Sequence, residues 1–368
     1  ELYGLQQFQD DIVNLNAGGI EDFATTAVAK FTEVSSLLAQ IGTLIPQELN
    51  EGLKNGEDVL GNYFDKYQEI VNTTLKNTVS STDALKASYT ALQAGFEGAA
   101  VDNVVNSSLK LLVAQGGDAE QIVALLKQTM TAFNLEASES GDILGKLNKV
   151  VDLGITTIPE LQYGFGALGV SANTAGVSFD EMSASLVQLT KAGSTTSTAI
   201  TKLNNLYNQI TSGQITERLK DMGATFIENG RAVTATFDSQ TIATKGFAKA
   251  AEEVYASLGK SNEKLRKALP DSEAFAAFTG VLTEGADGLQ DVINQIATSG
   301  AKELEKAFKI RIDNDKVVQF SQVVNRASET VLKLGKVLAP VFDKGLDYID
   351  SMVDKLAYLV ENWGGVIE

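Results

Sequence analysis

The sequence predicts an all-α protein: an elongated multi-helix chain with a compact helical core that carries one small β-hairpin, and with coiled-coil-like helices at its C-terminal end. Only 4 of the 368 residues are proline, so helix breakers are few. Apolar residues recur every three or four positions through most of the chain, which is the period of one helix face. Asn229-Gly230 lies between two strand-like runs, 225–228 and 231–234, and this is a strong hairpin signal.

Residues 1–80 are predicted to form an N-terminal helical, coiled-coil-like segment. Gly18-Gly19 separates its first helix from its second, and Pro46 ends the second. The three apolar stripes are Leu5, Phe8, Ile12 and Leu15; Ala27, Phe31, Val34, Leu38, Ile41 and Ile45; and Leu60, Phe64, Tyr67 and Val71. Because the second stripe has coiled-coil spacing, a bundle within one chain and self-association between copies both remain open.

Residues 81–240 are predicted to be the compact core. Its helices are about 12 residues long and are joined by short connections, as in compact helical domains. Asp83 and Asp118 are predicted to cap helices. Thr157 with Glu160 is predicted to open a helix rich in small residues.

The clearest local pattern lies in residues 154–193. Ser178 followed by Glu181 predicts a capping box at the start of a helix. The glycines before this cap leave a helix surface almost without side chains, which suits close approach by another backbone. The predicted close-packing residues are Gly164, Gly166, Gly169, Ser178 and Glu181.

Residues 241–312 are predicted to be connecting helices, and residues 313–368 a coiled-coil-like C-terminal segment. Apolar residues in the second segment alternate at spacings of three and four on both sides of Pro340. Pro340 can kink one helix or start a second, so a coiled coil and a helical hairpin both remain open. The residues of this predicted self-association seam are Val317, Phe320, Val324, Ala327, Val331, Leu334, Leu338, Phe342, Leu346, Ile349, Val353 and Leu356.

The composition excludes several classes of function. The chain has no Cys and no His, which rules out disulfides, thiolate nucleophiles, zinc sites built on these residues and triads with a His base. The net charge is −17, with 47 acidic against 30 basic residues, so stable direct DNA binding is not expected. No apolar run reaches the roughly 18 residues that a membrane-spanning helix needs.

The residues also give no support to an enzyme. The hairpin region holds no nucleotide-binding glycine motif. Adjacent acids such as Glu252-Glu253 do not face one site on a helix, and we interpret them as a solvated face. We therefore predict a chain that is not an enzyme and has no catalytic residue, metal or cofactor. Because it begins with Glu1, we expect it to be a piece of a longer polypeptide.

One ordered set of motifs resembles the core of phage tail tape measure proteins. It consists of LGVSANTAGVSFDEMSASLVQLTKAG, at residues 168–193, followed by TSTAITKLNNLYNQI, at residues 196–210. The resemblance extends upstream through LLVAQGGDAEQIVALLKQTMTAFNL and downstream through LKDMGATFIENGRAV. It covers Asp83 to about Phe237, with weaker similarity to Trp363, and contains no catalytic signature.

This resemblance implies a structural role in the virion, inside the tail tube. Such a protein lies extended in the tube lumen, fixes the number of tube rings by its length, and leaves ahead of the DNA on ejection. The implied partners are further copies of itself, as a trimer or a multiple of three, the tail tube protein, and the tail-tip or baseplate hub proteins. Any host membrane contact during ejection would involve parts outside this piece.

Two alternatives remain open. One is the equivalent ruler of a phage-like contractile injection system, which neighbouring capsid genes would distinguish from a phage. The other is a soluble helical binding module with coiled-coil ends. The parent gene of a ruler should be far longer than this piece, whereas a binding module has no such requirement.

Overall fold

The computed structural model describes residues 17–342 except Asn229. Parts of the predicted pattern lie outside these residues: Leu5, Phe8, Ile12 and Leu15 at the N-terminus, and Leu346, Ile349, Val353 and Leu356 at the C-terminus. The side chains of the seam residues Leu338 and Phe342 also lie outside the described part.

The all-α prediction is confirmed, because the described residues form 19 α-helices and one two-stranded antiparallel sheet. The helices before the sheet are α1 (Ala17–Leu44), α2 (Pro46–Lys54), α3 (Val59–Glu69), α4 (Ser81–Gln93), α5 (Ala99–Gln115), α6 (Ala119–Phe133), α7 (Ser140–Leu153), α8 (Ile158–Gln162), α9 (Phe165–Thr174), α10 (Phe179–Lys191), α11 (Thr196–Thr211) and α12 (Gln214–Asp221). The strands are β1 (Thr225–Glu228) and β2 (Arg231–Thr234). The helices after the sheet are α13 (Ser239–Lys245), α14 (Phe247–Ser257), α15 (Asn262–Ala268), α16 (Ser272–Val281), α17 (Gly285–Ala297), α18 (Ala301–Asn314) and α19 (Lys316–Phe342).

The described chain divides into two compact units. One, the terminal unit, joins the residues up to Leu92 with those from Ile312 onward. The other, the central unit, runs from Gln93 to Arg311. The four-segment division made from the sequence stays a prediction.

In the terminal unit, α1 and α19 pack together as an antiparallel pair. Ala27 meets Gly335, and the Lys30 ammonium lies 3.4 Å from the Ser328 hydroxyl, so residue numbers rise along one helix as they fall along the other. A Cβ at position 335 would overlap the Ala27 carbonyl oxygen. The missing side chain of Gly335 is therefore what allows the two backbones to come this close.

Polar contacts fix α19 beside the segment that follows α3. A short π-helical turn, Ile70–Thr74, ends α3, and the two residues Lys76 and Asn77 have positive φ. Their carbonyl oxygens accept hydrogen bonds from the Gln322 and Asn325 side chains, each at 2.9 Å.

The carboxylate of Glu329 adds a second anchor for α19. Glu329 is buried, and one of its oxygens accepts a bond from the Gln68 amide at 2.7 Å. Its other oxygen accepts a bond from the backbone N–H of Ser81 at 3.0 Å. Since Ser81 is the first residue of α4, the negative charge lies at a helix N-terminus, where it is favourable.

The central unit is built around α10, of whose 13 residues ten are buried. The helices α17, α11 and α16 pack against it. Aromatic rings fill the neighbouring space: Phe237 contacts both Phe247 and Phe278, and Tyr207 meets Phe247 edge-on with ring centroids 6.1 Å apart. All four rings are fully buried, so this cluster forms part of the apolar core of the unit.

The predicted hairpin is present. β1 and β2 pair antiparallel, with Thr225 opposite Thr234 and Glu228 opposite Arg231. β1 packs against α14, which is consistent with the need of an isolated hairpin for support from other elements.

Several local predictions were wrong in their details. The cap of α4 is Ser80, whose hydroxyl accepts a bond from the Asp83 N–H while the Asp83 carboxylate bonds back to Ser80. Thr157 caps only the five-residue α8, because Gly164 has φ 107° and breaks the helix before α9 begins. Two other boundaries stay untested: Gly18-Gly19 lies in the first turn of α1 and Pro340 in the last turn of α19, and the residues before 17 and after 342 lie outside the described part.

Candidate functional site

Glu181 joins two helices of the central unit. Its Oε2 accepts hydrogen bonds from the N–H and the hydroxyl of Ser178, both at 2.9 Å, and the Ser178 hydroxyl accepts from the Glu181 N–H. This is the capping box at the start of α10. Its Oε1 accepts a bond from the backbone N–H of Phe247 at 2.6 Å, at the start of α14. One carboxylate therefore caps both helix N-termini, and we call this arrangement the Glu181 clamp.

Two buried hydroxyls of α10 are satisfied within the helix, whereas the buried Ser183 hydroxyl has no hydrogen-bond partner among the described residues. Ser185 donates to the Glu181 carbonyl at 2.7 Å, and Thr190 donates to the Val187 carbonyl at 3.0 Å. Thr190 also accepts a bond from the Ile155 N–H. Hydroxyls that bond to the preceding turn present little unsatisfied polarity to the neighbouring helices.

A fully buried tyrosine lies near the clamp. Burial, together with the negative charge of Glu181, raises the pKa of the Tyr207 phenol well above its ordinary value. The phenol therefore stays neutral at physiological pH.

The glycines before α10 are where α9 contacts α6. A Cβ at Gly169 would lie 2.9 Å from the Ala132 Cβ, and a Cβ at Gly166 would lie 2.7 Å from the Gln128 side-chain oxygen. Gly164, which the sequence placed on the same surface, instead takes a positive φ as the N-cap of α9. It packs near Ile200 of α11.

Residues 164–169, GFGALG, match the glycine spacing GxGxxG, which the sequence interpretation did not single out. In dinucleotide-binding folds this spacing follows a β-strand and opens a helix. Here it follows α8, and its second and third glycines face α6. The glycines thus serve helix packing, and the structural context of a nucleotide site is missing from this part of the described chain.

Lys245 ties the hairpin to the helices of the central unit. Its ammonium lies 3.0 Å from carboxylate oxygens of both Glu228 in β1 and Glu253 in α14, and 5.0 Å from the centre of the Phe226 ring. Partial burial would lower the pKa of Lys245, but its hydrogen bonds and the two negative charges raise it above the ordinary value.

Asp238 caps α13 with a perturbed carboxylate. Burial would raise the pKa of Asp238, but bonds from the Thr241 N–H and hydroxyl, a bond from the Thr216 hydroxyl and the charge of Lys220 hold it below the ordinary value. The three bonds are 2.8 to 3.1 Å long. The cap therefore also holds α12, which carries Thr216, to the start of α13.

The predicted self-association seam is divided in the structure. At the start of α19, Val317 is 67% exposed and Phe320 is 46% exposed, and Val324 and Ala327 are half-buried. Val331, in the second half of the helix, is only 3% exposed. Leu334 is half-buried.

One exposed apolar surface was missed by the sequence interpretation. Tyr163, which precedes α9, and Val170, within α9, are 74% and 56% exposed, and Ala167, about one turn before Val170, is exposed as well. The three-residue spacing from Ala167 to Val170 was the available signal within α9. Only one charged residue, Glu160, occurs between Leu153 and Phe179.

The described residues contain no group of acidic side chains placed to hold a metal ion. A polar cavity of about 330 Å³ lies between α7, α17 and α18. The buried polar groups of its lining are already bonded: Asn148 bonds to Gln115 and Asp152, and Ser299 donates to the Gln295 carbonyl. No helix within residues 17–342 is long and apolar enough to cross a membrane.

The sequence model of one family, described as phage-related minor tail protein, matches residues 67–269, or 203 of the 368 residues. The chain belongs to this family. No curated protein and no solved structure matches it. Membership in this family gives the chain a structural role in a phage tail. The matched residues contain the Glu181 clamp, the α6–α9 contact and the hairpin, whereas α19 lies outside the match.

Proposed function

We propose that this minor tail protein is a piece of a tail tape measure protein. It lies in the lumen of the tail tube, sets tail length during assembly, and leaves ahead of the DNA on ejection. The supporting observation is that the family match, residues 67–269, contains the stretch Asp83–Phe237 whose motifs resemble the tape measure core.

The charge of the chain is compatible with this location. A net charge of −17 gives mutual repulsion between the protein and DNA that shares the same tube. A protein that must leave the tube before the genome benefits from weak affinity for it. Its proposed partners are therefore proteins: further copies of itself in a trimer or multiple of three, the tail tube protein, and the tail-tip or baseplate hub. It acts without a catalytic residue, metal or cofactor.

The two kinds of helix have different proposed roles. An extended helix adds about 1.5 Å of length per residue, so it can measure. A compact unit such as residues 93–311 adds far less length per residue, and we assign it docking or regulated release. The ruler itself would consist of helical runs outside this unit, including those elsewhere in the parent protein.

The test is the length of tails assembled with shortened versions of the parent protein. Large in-frame deletions of whole heptads, made in helical runs outside residues 93–311, should shorten the tail by about 10 Å per heptad. A matched deletion inside 154–193 removes the Glu181 clamp, and we expect it to stop assembly or ejection without giving shorter tails. Electron micrographs measure both outcomes.

Tails of unchanged length after the loss of several hundred helical residues would rule out the ruler and favour the helical binding module. If the tail length follows the chain length, neighbouring genes then separate a phage from a contractile injection system. Capsid and terminase genes beside the parent gene indicate a phage.

A further inference from the structure

The first three turns of α19 present an apolar surface that the described residues leave uncovered. Val317, Phe320 and Val323 are 67%, 46% and 60% exposed. Val323 lies beside the seam, whose spacing continues without interruption from Val317 and Phe320 through the half-buried Val324 into the buried half of the same helix. The surface is thus the open end of one longer seam.

A second copy of the chain fits this open end by charge. The ten residues 316–325 carry a single charge, on Lys316, although about two residues in ten are charged over the whole chain. Two copies of an acidic chain of net charge −17 repel each other over most of their surface. At this neutral, apolar patch, two copies of α19 can pack together without placing many like charges in contact.

The other end of the seam is already occupied by α1. Val331 and Leu332 are buried, and Gly335 lies against the Ala27 carbonyl. Ala27 is fully buried in this contact region. A helix from another copy cannot use this half of the seam while α1 remains in place, since the close backbone approach leaves no room for both.

We propose that α1 is an intramolecular cap on the self-association seam of α19. The open end, from Val317 to Val324, takes the same helix of a second copy, and the full seam forms only when α1 moves away. This inference rests on the self-association included in the proposed function and adds its regulation. While α1 stays bound to α19, only a fraction of the molecules can pair along the whole seam. The observed affinity of one copy for another is reduced by that fraction.

The test changes α1 and leaves every seam residue as it is. Ala27→Leu adds volume at a fully buried position facing α19, whereas Ala29→Leu makes the same change at an exposed position of the same helix. Sedimentation equilibrium should show self-association on the order of tenfold tighter or more for Ala27→Leu, and no change for Ala29→Leu. Adding Val324→Asp should abolish the association, because it places a charge in the interface.

A second measurement covers the case in which Ala27→Leu unfolds the terminal unit, which circular dichroism would reveal. Because the chain has no Cys, Lys30→Cys and Ser328→Cys can be joined by a cleavable bifunctional thiol reagent. These two positions face each other across the α1–α19 pair. The linked protein should associate more weakly than the same protein after the link is cleaved.

Equal association of Ala27→Leu and Ala29→Leu, or equal association before and after cleavage, overturns the cap. Tighter association that survives Val324→Asp also overturns it, because the second copy then binds elsewhere. None of these results bears on the proposed length-measuring function, which is tested by tail length alone. The two proposals can therefore be refuted independently of each other.

Discussion

Replacing Glu181 should destabilise the central unit more than the loss of an ordinary helix cap. The side chain satisfies the N–H groups of Ser178 and Phe247, which begin two different helices. Glu181→Ala leaves both donors without this partner. Ser178 is exposed, so water can replace the carboxylate there, but Phe247 is fully buried.

The size of the effect follows from these two losses. The loss of a helix-capping interaction costs about 1 kcal/mol. The loss of a charged acceptor from a buried N–H costs about 1.5–3 kcal/mol. We therefore expect the free energy of unfolding to fall by about 2.5–4 kcal/mol, a large part of the about 5–15 kcal/mol typical of a domain. Glu181→Gln keeps one acceptor oxygen, replaces the other with an NH2 donor and loses the charge, so it can cap only one of the two helices and should lie between Ala and wild type.

Glu139→Ala is the matched control. Glu139 also closes a capping box, by accepting the N–H of Glu136 at 2.8 Å, and among the described residues no bond from a second helix to its carboxylate is found. Its loss should cost about 1 kcal/mol. Urea unfolding followed by circular dichroism gives both values, and hydrogen exchange in 247–257 reports the start of α14 directly. Equal costs for the two variants, with unchanged exchange in α14, would refute the clamp.

Three further predictions concern packing, the hairpin and pH. Gly169→Leu should destabilise the central unit by about 1–3 kcal/mol in urea unfolding, because any side chain at position 169 would overlap Ala132. Ala167→Leu, on the exposed side of α9, is the control and should have little effect. Lys245→Met should speed hydrogen exchange in residues 225–234, since the hairpin loses its ionic link to α13 and α14. The pKa of Asp238 is lowered by folding, so its contribution to stability is present above the unfolded pKa of about 3.9 and is lost as pH falls through the lower folded pKa. Asp238→Asn should therefore reduce the acid dependence of unfolding in that range.

Local patterns in the sequence predicted most of the secondary structure. The helical spacing of apolar residues predicted the apolar faces of the helices, and Asn229-Gly230 predicted the hairpin. The reciprocal bonds of Ser178 and Glu181 are short-range, so the three-residue spacing is enough to predict them. The wrong details arose where one residue decides a boundary: positive φ at Gly164 splits a helix that periodicity alone would continue.

Contacts between distant segments could not be predicted in this way. The bond from Phe247 to Glu181 joins residues 66 positions apart, and nothing in the spacing of either helix indicates it. The close approach of Ala27 and Gly335 likewise depends on which helices meet, which periodicity does not determine. α10 reads as amphipathic because it contains Ser183, Ser185 and Thr190. It is nevertheless buried nearly all round: Ser185 and Thr190 donate to carbonyl oxygens of their own helix, whereas the buried Ser183 hydroxyl has no partner among the described residues.

The contrast between the two units bears on how a chain of this kind could measure length. The central unit has 219 residues, from 93 to 311, and a compact domain of that size has a radius of gyration of about 17 Å, or roughly 45 Å across. Its residues therefore add about 0.2 Å each to an assembled length, against about 1.5 Å for each residue of an extended helix. The α1–α19 pair is intermediate, because two antiparallel helices side by side give the length of one. If the chain measures tail length as proposed, release of α1 from α19 would let this part of the chain extend to a greater length. The same release would expose the self-association seam of α19.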